Sequence, residues 1–269
     1  MGRLEGKVAI VTGSSSGLGR AIALEYVKEG ALLVCADLQR NARPEVHEEA
    51  VINTHDLIQQ QGGKAIFVQT DVGVATEVEG LIQAAVSEYG RLDILVNNAG
   101  ISLEAGRPPA RIHETSEEIW DITMKVNTKS VFLGCKYAIT QMLSQGPHSS
   151  GDRGWIINMS SIYGLVGGNF NSAYAASKGA VSNLTRQIAV DYGDSNIHCN
   201  AICPGYTKTA IFARTTDTLH SLNKLNAQHP LKGAGEVGDI VGAAVFLACQ
   251  DANWVTGVCL PVDGGFTAQ

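Results

Sequence analysis

The sequence lacks the features that mark membrane proteins, nucleic-acid-binding proteins and disulfide-rich secreted proteins. No apolar stretch reaches the roughly 20 residues that a bilayer-spanning helix needs. The 20 Lys and Arg residues against 26 Asp and Glu residues give a net charge of −6 without any basic cluster, which argues against nucleic acid or an anionic membrane as a partner. The six cysteines are scattered and lack the CxxC spacing of zinc sites. Because the first residues do not resemble a secretion signal, we expect free thiols and a cytoplasmic location.

Histidine is also scarce, and its positions do not suggest a metal centre. The seven histidines show no metal-binding spacing such as HExxH, so we predict no metal site; they are His47, His55, His113, His148, His198, His220 and His229. The rest of the composition, 45% apolar and 17% charged, is that of an ordinary globular protein. No linker rich in Pro, Gly or Ser divides the chain, so we expect one domain over residues 1–269.

Short apolar runs recur along the chain and favour alternating strands and helices. Several runs are continuous rather than alternating, as expected of strands that are buried on both faces of a sheet. Helical periodicity lies between some of them, at 19–30 and 76–90. This order predicts an α/β fold, a doubly wound, seven-stranded parallel sheet with helices on both faces. The seven predicted strands are 7–12, 31–36, 65–70, 92–97, 155–160, 197–202 and 258–262.

Three segments interrupt this alternation. Residues 103–115 and 144–154 are polar and irregular, and we predict that they are loops. The long piece from Tyr206 to Gly235 has weak periodicity and many polar residues. A stretch of that length without a strand is often a functional lid, so we predict a substrate lid at about residues 206–235.

A glycine-rich segment, VTGSSSGLGRA, follows the first predicted strand and opens the first helix. Gly13, Gly17 and Gly19 let backbone N–H groups approach a ligand, and a helix presents its positive N-terminal end to a phosphate. The serine hydroxyls of residues 14–16 add donors. The spacing is GxxxGxG rather than GxGxxG, and such a turn can also be a tight turn without a ligand. The strand before it and the helix after it favour a phosphate-binding turn.

Asp37 stands at the end of the second predicted strand, twenty residues beyond Gly17. A carboxylate there can accept hydrogen bonds from a ribose 2′-hydroxyl and would repel a 2′-phosphate. It therefore favours NAD over NADP. Arg40 lies close enough in sequence to reach a 2′-phosphate, so NADP stays possible. The alternative for Asp37 is an ordinary residue of a strand-end turn.

Tyr174 and Lys178 stand four residues apart in the run SAYAASKGA, so both point the same way if the run is helical. A free tyrosine has a pKa of ~10, too high for a base at neutral pH. A nearby ammonium group favours the phenolate and would lower that pKa. The alternative is a surface tyrosine beside a solvated lysine, which this pair alone does not exclude.

Several short motifs together make the chain resemble the short-chain dehydrogenase/reductase family over almost its whole length. Their order and spacing carry the resemblance, including the thirteen residues between Ser161 and Tyr174. The motifs are TGSSSGLG (12–19), NNAG (97–100), Asn127 in KVNTKS, Ser161 in NMSSIYG, Tyr174 and Lys178 as YxxxK, PGYTKT (204–209) and VDGG (262–265).

The resemblance implies a Rossmann-like domain, a homotetramer and an NAD(P)-dependent oxidoreductase. The reaction it implies moves a hydride between the nicotinamide cofactor and a secondary alcohol or ketone. It assigns catalysis to a complete tetrad. Tyr174 would transfer the proton, Ser161 would hold the substrate oxygen, and Lys178 would bind the nicotinamide ribose. Asn127 would hold a water that connects Lys178 to solvent.

The family pattern also implies cofactor and substrate contacts. The implied cofactor contacts are Gly13, Ser15, Ser16, Gly17, Leu18, Gly19, Asp37, Leu38, Asp71, Val72, Asn98, Ala99, Gly100, Tyr174, Lys178, Pro204, Gly205, Thr207 and Thr209. Most residues of the implied substrate wall are apolar or aromatic, which favours a lipophilic or aromatic small molecule. They are Ser161, Tyr163, Phe170, Tyr206 and Phe212, with Ser102, Ile162, Gly168, Asn169 and Ile211 beside them.

Two departures from the family pattern and two alternative functions stay open. The insertion RPPARIHE (107–114) can shape substrate access, and the lengthened segment 40–56 can alter contacts around the adenosine. The same fold also supports non-redox reactions, so an epimerase, lyase or cyclase is an alternative. A catalytically silent protein that senses a dinucleotide is the other alternative, although it would not need the complete tetrad.

Overall fold

Seven apolar segments form a single parallel sheet in the computed structural model, which describes residues 2–42, 49, 51–219 and 222–269. The strands stand in the order β3-β2-β1-β4-β5-β6-β7. The doubly wound parallel sheet predicted from the sequence is confirmed, and the strand ends differ from the predicted ones by no more than two residues. The strands are β1 (Val8–Thr12), β2 (Leu32–Asp37), β3 (Ala65–Gln69), β4 (Ile94–Asn97), β5 (Gly154–Met159), β6 (Ile197–Pro204) and β7 (Cys259–Val262).

Helices cover both faces of this sheet and create two separate cores. One core lies between the sheet and α1, α2 and α9, and the other lies between the sheet and α3, α5 and α6. The helices are α1 (Gly17–Lys28), α2 (Thr54–Gln60), α3 (Ala75–Tyr89), α4 (Glu117–Met124), α5 (Ser130–Ser144), α6 (Ser172–Tyr192), α7 (Ala210–Leu219), α8 (Leu222–Ala227) and α9 (Gly238–Leu247). The periodicity at 19–30 and 76–90 corresponds to α1, which buries Ile22 and Tyr26, and to α3, which buries Val78, Leu81, Ile82 and Ala85.

The continuous apolar runs of the central strands are explained by these two cores. In β1, Ala9 and Val11 belong to the first core while Val8 and Ile10 belong to the second. Successive side chains of a strand point to opposite faces, so a strand between two helical layers needs apolar residues at every position. Burying each large aliphatic side chain contributes about 1.5–3 kcal/mol to stability.

The order of the sheet decides where a ligand can bind. The chain runs outward from β1 to β3 and then returns to β4 on the other side of β1. Ligands of open parallel sheets bind outside the carboxyl ends of the strands, at the point where the strand order reverses. The glycine-rich turn after β1 and the NNAG segment after β4 stand at that point.

The segments predicted to be irregular have a mixed outcome. Residues 145–153 form a loop, and the loop over 103–115 contains only a short 3₁₀ turn, Ile112–Glu114. The predicted lid at 206–235 contains α7 and α8, and Thr207 pairs with Gly235 as an isolated bridge. None of the helices in the described part of the chain is long and apolar enough to cross a bilayer. His47, His220 and residues 43–48 and 50 of the lengthened segment lie outside the described residues.

Candidate active site

The turn between β1 and α1 is built around three glycines that fit a phosphate group. Gly13 and Gly17 have φ angles of +67° and +57°, which side chains other than glycine rarely adopt. A Cβ at Gly19 would stand 2.1 Å from the Gly13 oxygen, whereas a Cβ at Gly17 would meet nothing nearer than 3.6 Å. The Glu49 carboxylate accepts a hydrogen bond from the Gly17 N–H at 2.9 Å, so this helix end already attracts an anionic group.

The carboxylate of Asp37 lies beside this turn at the end of β2. Its Oδ2 accepts a hydrogen bond from the Ser15 N–H at 3.1 Å, and its Oδ1 accepts one from the Leu38 N–H at 2.8 Å. Asp37 and Leu38 line the cleft, but Ser15 does not and donates its hydroxyl to the Gln39 oxygen instead. The Arg40 guanidinium lies 5.5 Å from the centre of the Phe67 ring. Asp37 thus offers oxygen lone pairs to a ligand from a fixed position.

The NNAG segment is tied directly to the end of β1. The Thr12 hydroxyl accepts hydrogen bonds from the N–H groups of Asn98 and Ala99, both at 3.0 Å. The Asn98 side chain donates to the Thr12 oxygen at 2.9 Å. These bonds hold Asn98, Ala99 and Gly100 along the floor of the cleft. Asp71 lines the same cleft.

Ser161, Tyr174 and Lys178 line one cleft together with the glycine-rich turn. Ser161 follows β5, is 7% exposed and accepts a hydrogen bond from the Tyr163 N–H at 3.2 Å. Lys178 is 5% exposed, and its ammonium group donates to the Met159 oxygen at 2.8 Å. The same nitrogen lies 5.7 Å from the centre of the Tyr174 ring. The amine and the phenol therefore face the same compartment.

The electrostatics of this pair correct one expectation from the sequence. Burial raises the pKa of Tyr174 to about 12, while its hydrogen bond with Ser161 acts in the opposite direction. Burial lowers the pKa of Lys178 to about 8. The expectation that the lysine holds the tyrosine pKa below its ordinary value is therefore wrong for the protein by itself. Loss of water favours the neutral form of both groups, and it is the largest cause of both pKa shifts.

Asn127 lies beneath the cleft, within a π-helical turn, Lys125–Lys129, that joins α4 and α5. It is fully buried, and its amide exchanges two hydrogen bonds of 2.8 Å with the backbone of Ile101. It also donates to the Ser177 hydroxyl at 3.1 Å. A Cβ on Gly100 would stand 3.3 Å from the Asn127 oxygen and 3.5 Å from the Lys178 nitrogen, so these groups meet around Gly100.

Aromatic side chains form the wall opposite the glycine-rich turn. The hydroxyls of Tyr163 and Tyr206 are hydrogen-bonded at 2.7 Å, joining the segment after β5 to the predicted lid. The ring of Phe212 lies 6.4 Å from that of Tyr206, and the ring of Phe266 packs edge-on against both tyrosines. Phe170 lines the cleft in an unusual conformation with φ of +60°. The wall is therefore mainly aromatic with two hydroxyl groups.

The structure brings most of the predicted site residues into this cleft and places four of them behind it. Ser15, Gly19 and Asn127 support its floor, and Gly168 leaves room for the Tyr163 ring, because a Cβ there would stand 2.1 Å from Tyr163 Cε1. The other predicted cofactor and substrate residues line the cleft.

Sequence reasoning missed several residues that line or support this cleft, among them Glu104 and Phe266. Glu104 lines the cleft and bonds to the first turn of α6, and Phe266 supports the tyrosine wall. A single glutamate in an irregular segment and a phenylalanine near the end of the chain carry no local pattern that reveals these contacts.

Comparison with known proteins agrees with this geometry. A family model described as enoyl-(acyl carrier protein) reductase matches residues 13–267. The 2-(R)-hydroxypropyl-CoM dehydrogenase of Xanthobacter autotrophicus is 38% identical over 264 residues, which are 97% of this chain and 99% of that protein. The cyclopentanol dehydrogenase of Comamonas sp. is 37% identical over 269 residues, 100% of both chains. The chain belongs to the short-chain dehydrogenase/reductase family.

A solved structure of this family supports the same conclusion. A crystal structure from Agrobacterium tumefaciens with bound NADP, described as a 2-deoxy-D-gluconate 3-dehydrogenase, superimposes with a TM-score of 0.83. It is 33% identical, and the alignment covers 99% of this chain and 98% of that one. The resemblance inferred from the motifs is confirmed, and this short-chain dehydrogenase/reductase is an NAD(P)-dependent oxidoreductase. Within the described ranges, no group of three or more His, Cys, Asp or Glu side chains is arranged to hold a metal ion.

Proposed function

We propose that this short-chain dehydrogenase/reductase interconverts a secondary alcohol and a ketone and prefers NAD. The observation that carries the proposal is the placement of Ser161, Tyr174 and Lys178 in one cleft with the glycine-rich turn. Proton transfer needs a side chain within reach of the reacting oxygen, and hydride transfer needs a dinucleotide held alongside. Because the side chains for proton transfer and the glycine-rich turn line one cleft, a substrate and a dinucleotide can lie next to each other there.

Tyr174 is the proposed proton donor to a ketone oxygen. Because its pKa is raised to about 12, its phenol is protonated at neutral pH and can donate. Ser161 is bonded to Tyr174 and stands beside it, so its hydroxyl holds the same oxygen and stabilises charge that develops there. The two hydroxyls together orient one carbonyl group.

Lys178 has two proposed tasks. Its ammonium group holds a ribose hydroxyl, and its positive charge favours the phenolate that Tyr174 forms in each reduction. Its pKa of about 8 lets it also pass a proton onward near neutral pH. Asn127 lies next to it around Gly100, and we assign Asn127 to holding the proton path open.

The residues around the glycine-rich turn would hold the cofactor. A nicotinamide dinucleotide supplies the hydride when it is bound. The side-chain-free backbone at Gly17 and the positive end of α1 would suit a pyrophosphate, for which Glu49 would have to release the Gly17 N–H. Asp37 at the end of β2 suits a ribose with a free 2′-hydroxyl, which supports the preference for NAD.

The proposed substrate is a lipophilic or aromatic small molecule. Tyr163, Tyr206, Phe170 and Phe212 line the cleft and offer mainly apolar surface. Among the relatives, the cyclopentanol dehydrogenase is named for a small apolar alcohol. We propose that residues 206–235 act as the lid, because α7 places Ile211 and Phe212 in the lining of the cleft.

The proposal is tested by ketone-dependent oxidation of NADH by the purified protein, with cyclic, aromatic and sugar-derived ketones. We expect turnover on apolar cyclic or aromatic ketones and a lower rate with NADPH. Tyr174→Phe keeps the ring but removes the proton, so we expect kcat to fall about 10²–10⁴-fold. Its NADH affinity, measured by fluorescence, stays within about twofold of the wild type because the ring still fills its place.

Two outcomes contradict the proposal. A Tyr174→Phe protein that keeps most of its kcat excludes the phenol as the proton donor. Tight NADH binding without turnover on any ketone of the panel favours the silent sensor or a non-redox reaction instead.

A further inference from the structure

Glu104 connects the loop after β4 with the first turn of α6. Its Oε1 accepts a hydrogen bond from the Ala173 N–H at 2.9 Å, and its Oε2 accepts one from the Tyr174 N–H at 3.0 Å. The two partners lie 69 and 70 residues further along the chain. One carboxylate therefore holds the backbone of the residue whose phenol faces the substrate.

These two bonds supply a cap that α6 does not provide for itself. The first N–H groups of a helix have no partner within the helix. Asn171, the residue before α6, makes no side-chain bond to them, although its backbone oxygen accepts from the Ala175 N–H at 2.8 Å. A negative charge at a helix N-terminus also interacts favourably with the helix dipole. Glu104 thus acts as the N-cap of α6 from a distant segment.

The loop that carries Glu104 is held on two other sides. Its start is fixed by the paired hydrogen bonds between Ile101 and Asn127. Further along, a Cβ on Gly106 would stand 3.5 Å from the Arg214 side chain of α7, within the predicted lid. Glu104 itself lines the cleft. The loop therefore packs between the catalytic helix and the predicted lid.

We propose that Glu104 is a positioning residue that fixes the Tyr174 backbone and brings a carboxylate to the residue that carries the phenol. The proposal rests on the proposed role of Tyr174. The other ionisable groups that face this phenol are Lys178 on the same helix, Tyr163 after β5 and Tyr206 in the predicted lid. Glu104 differs from these three groups in being a carboxylate.

The charge and the hydrogen bonds have separate consequences. The negative charge of Glu104 disfavours the phenolate and contributes to the raised pKa of Tyr174. Reduction of a ketone needs the phenol form, so its rate falls as the pH rises through that pKa. Removing the charge lowers the pKa and moves this alkaline fall to lower pH. Removing the hydrogen bonds loosens the backbone of Tyr174 and lowers kcat at every pH.

Two variants of Glu104 separate these effects. Glu104→Gln removes the charge but keeps one oxygen that can accept a hydrogen bond, whereas Glu104→Ala removes both. Glu29→Gln is the matched control, because Glu29 also accepts a backbone N–H from a distant segment, that of Arg3 at 2.9 Å, and does not line the cleft. The readouts are the pH profile of kcat, the NADH affinity and hydrogen exchange of the Ala173 and Tyr174 amides.

The expected results differ between the variants. For Glu104→Ala, we expect about tenfold faster exchange at the two amides and about tenfold lower kcat, with NADH affinity within about twofold. For Glu104→Gln, we expect a smaller loss of kcat. The fall of kcat at high pH should begin at a lower pH than in the wild type. Glu29→Gln should match the wild type in all three readouts.

The proposal fails if Glu104→Gln shifts the pH profile of kcat no more than Glu29→Gln does, and it also fails if Glu104→Ala leaves exchange of the two amides unchanged. A drop in melting temperature alone, with kcat and its pH profile preserved, shows a merely structural cap and also overturns it. Exchange is measured without substrate, so it reports on the cap even if the proposed reaction is wrong. Faster exchange in a protein without ketone turnover would contradict the proposed function but not the cap.

Discussion

At the scale of single residues, burial controls the chemistry of the active site. Tyr174 and Lys178 are both withdrawn from water, which raises the pKa of the phenol to about 12 and lowers that of the amine to about 8. At neutral pH the phenol is therefore a proton donor, and most of the amine is charged. This arrangement suits reduction at neutral pH and oxidation at higher pH, where loss of the phenol proton costs less.

Asp37 gives a prediction at the same scale. We expect Asp37→Ala to weaken NADH binding about tenfold, because a ribose would lose a charged hydrogen-bond acceptor. Repulsion of a 2′-phosphate would also disappear, so discrimination against NADPH should relax. Fluorescence titration with both cofactors measures the two effects. Asp194→Ala, at an exposed carboxylate bonded to the neighbouring Ser195, is the control. A wild-type protein that already prefers NADPH would contradict this role.

At the scale of secondary-structure elements, close backbone contacts hold the glycine-rich turn between β1 and α1 in place. Gly19 is the tightest point, since a Cβ there would stand 2.1 Å from the Gly13 oxygen and 2.5 Å from the Asn98 side chain. Backbone atoms cannot move aside as the end of a flexible side chain can. The position of α1 relative to the cleft therefore requires glycine, which has no side chain, at residue 19.

We expect Gly19→Ala to displace the start of α1, weaken NADH binding and destabilise the protein by about 1–3 kcal/mol, as overpacking does. Gly80→Ala is the matched control within α3, where an added Cβ meets nothing within 4 Å. That variant should keep its affinity for NADH. Its free energy of unfolding should rise by up to about 1 kcal/mol, because alanine is the better helix former. Urea unfolding and NADH titration of both variants measure the contrast. Equal stability of the two variants would show that the turn is less constrained than the structure indicates.

At the scale of the whole molecule, the two ends of the sheet carry different kinds of polar groups. The carboxyl ends of the strands hold the cleft, and the amino ends hold a buried carboxylate, Asp93, which is 0% exposed. It accepts hydrogen bonds from the Val8 N–H at 2.9 Å and from Arg91 at 2.7 Å, and it pairs with His148 at 2.8 Å. Asp93 therefore joins β1 and β4 to the loop before β5.

Asp93 makes stability depend on pH. Burial alone would raise its pKa, but the bonds from His148, Val8 and Arg91 prevail and hold the pKa below its ordinary value of 3.8. A depressed folded-state pKa contributes stability above the unfolded-state value, and this is lost as the pH falls through the folded-state value. We expect Asp93→Asn to lower the free energy of unfolding by about 3–5 kcal/mol at pH 7. The loss should become progressively smaller below pH 4.

Urea unfolding of the Asp93→Asn variant over that pH range provides the measurement. Asp191→Asn, at an exposed carboxylate bonded to Gln187, is the control and should stay within about 0.5 kcal/mol of the wild type. A constant difference between wild type and Asp93→Asn from pH 7 to pH 3 would exclude titration of this carboxylate as the cause.

The sequence by itself determined the sheet and the floor of the cleft. Continuous apolar runs predict strands buried on both faces because every position of such a strand meets a helical layer. The glycines of the first turn were recognisable because left-handed backbone and close approach require glycine at fixed spacing, and Gly13 and Gly17 adopt positive φ. These are local requirements, so a local pattern records them.

Only the tertiary structure decided the electrostatics and the long-range contacts of the site. The raised pKa of Tyr174 follows from the packing of surrounding elements, whereas its spacing from Lys178 predicted a lowered one. The cap of α6 by Glu104 and the support of the tyrosine wall by Phe266 join residues far apart in the chain. Water exclusion and such contacts depend on how helices, strands and loops pack against one another, and no short stretch of sequence contains that information.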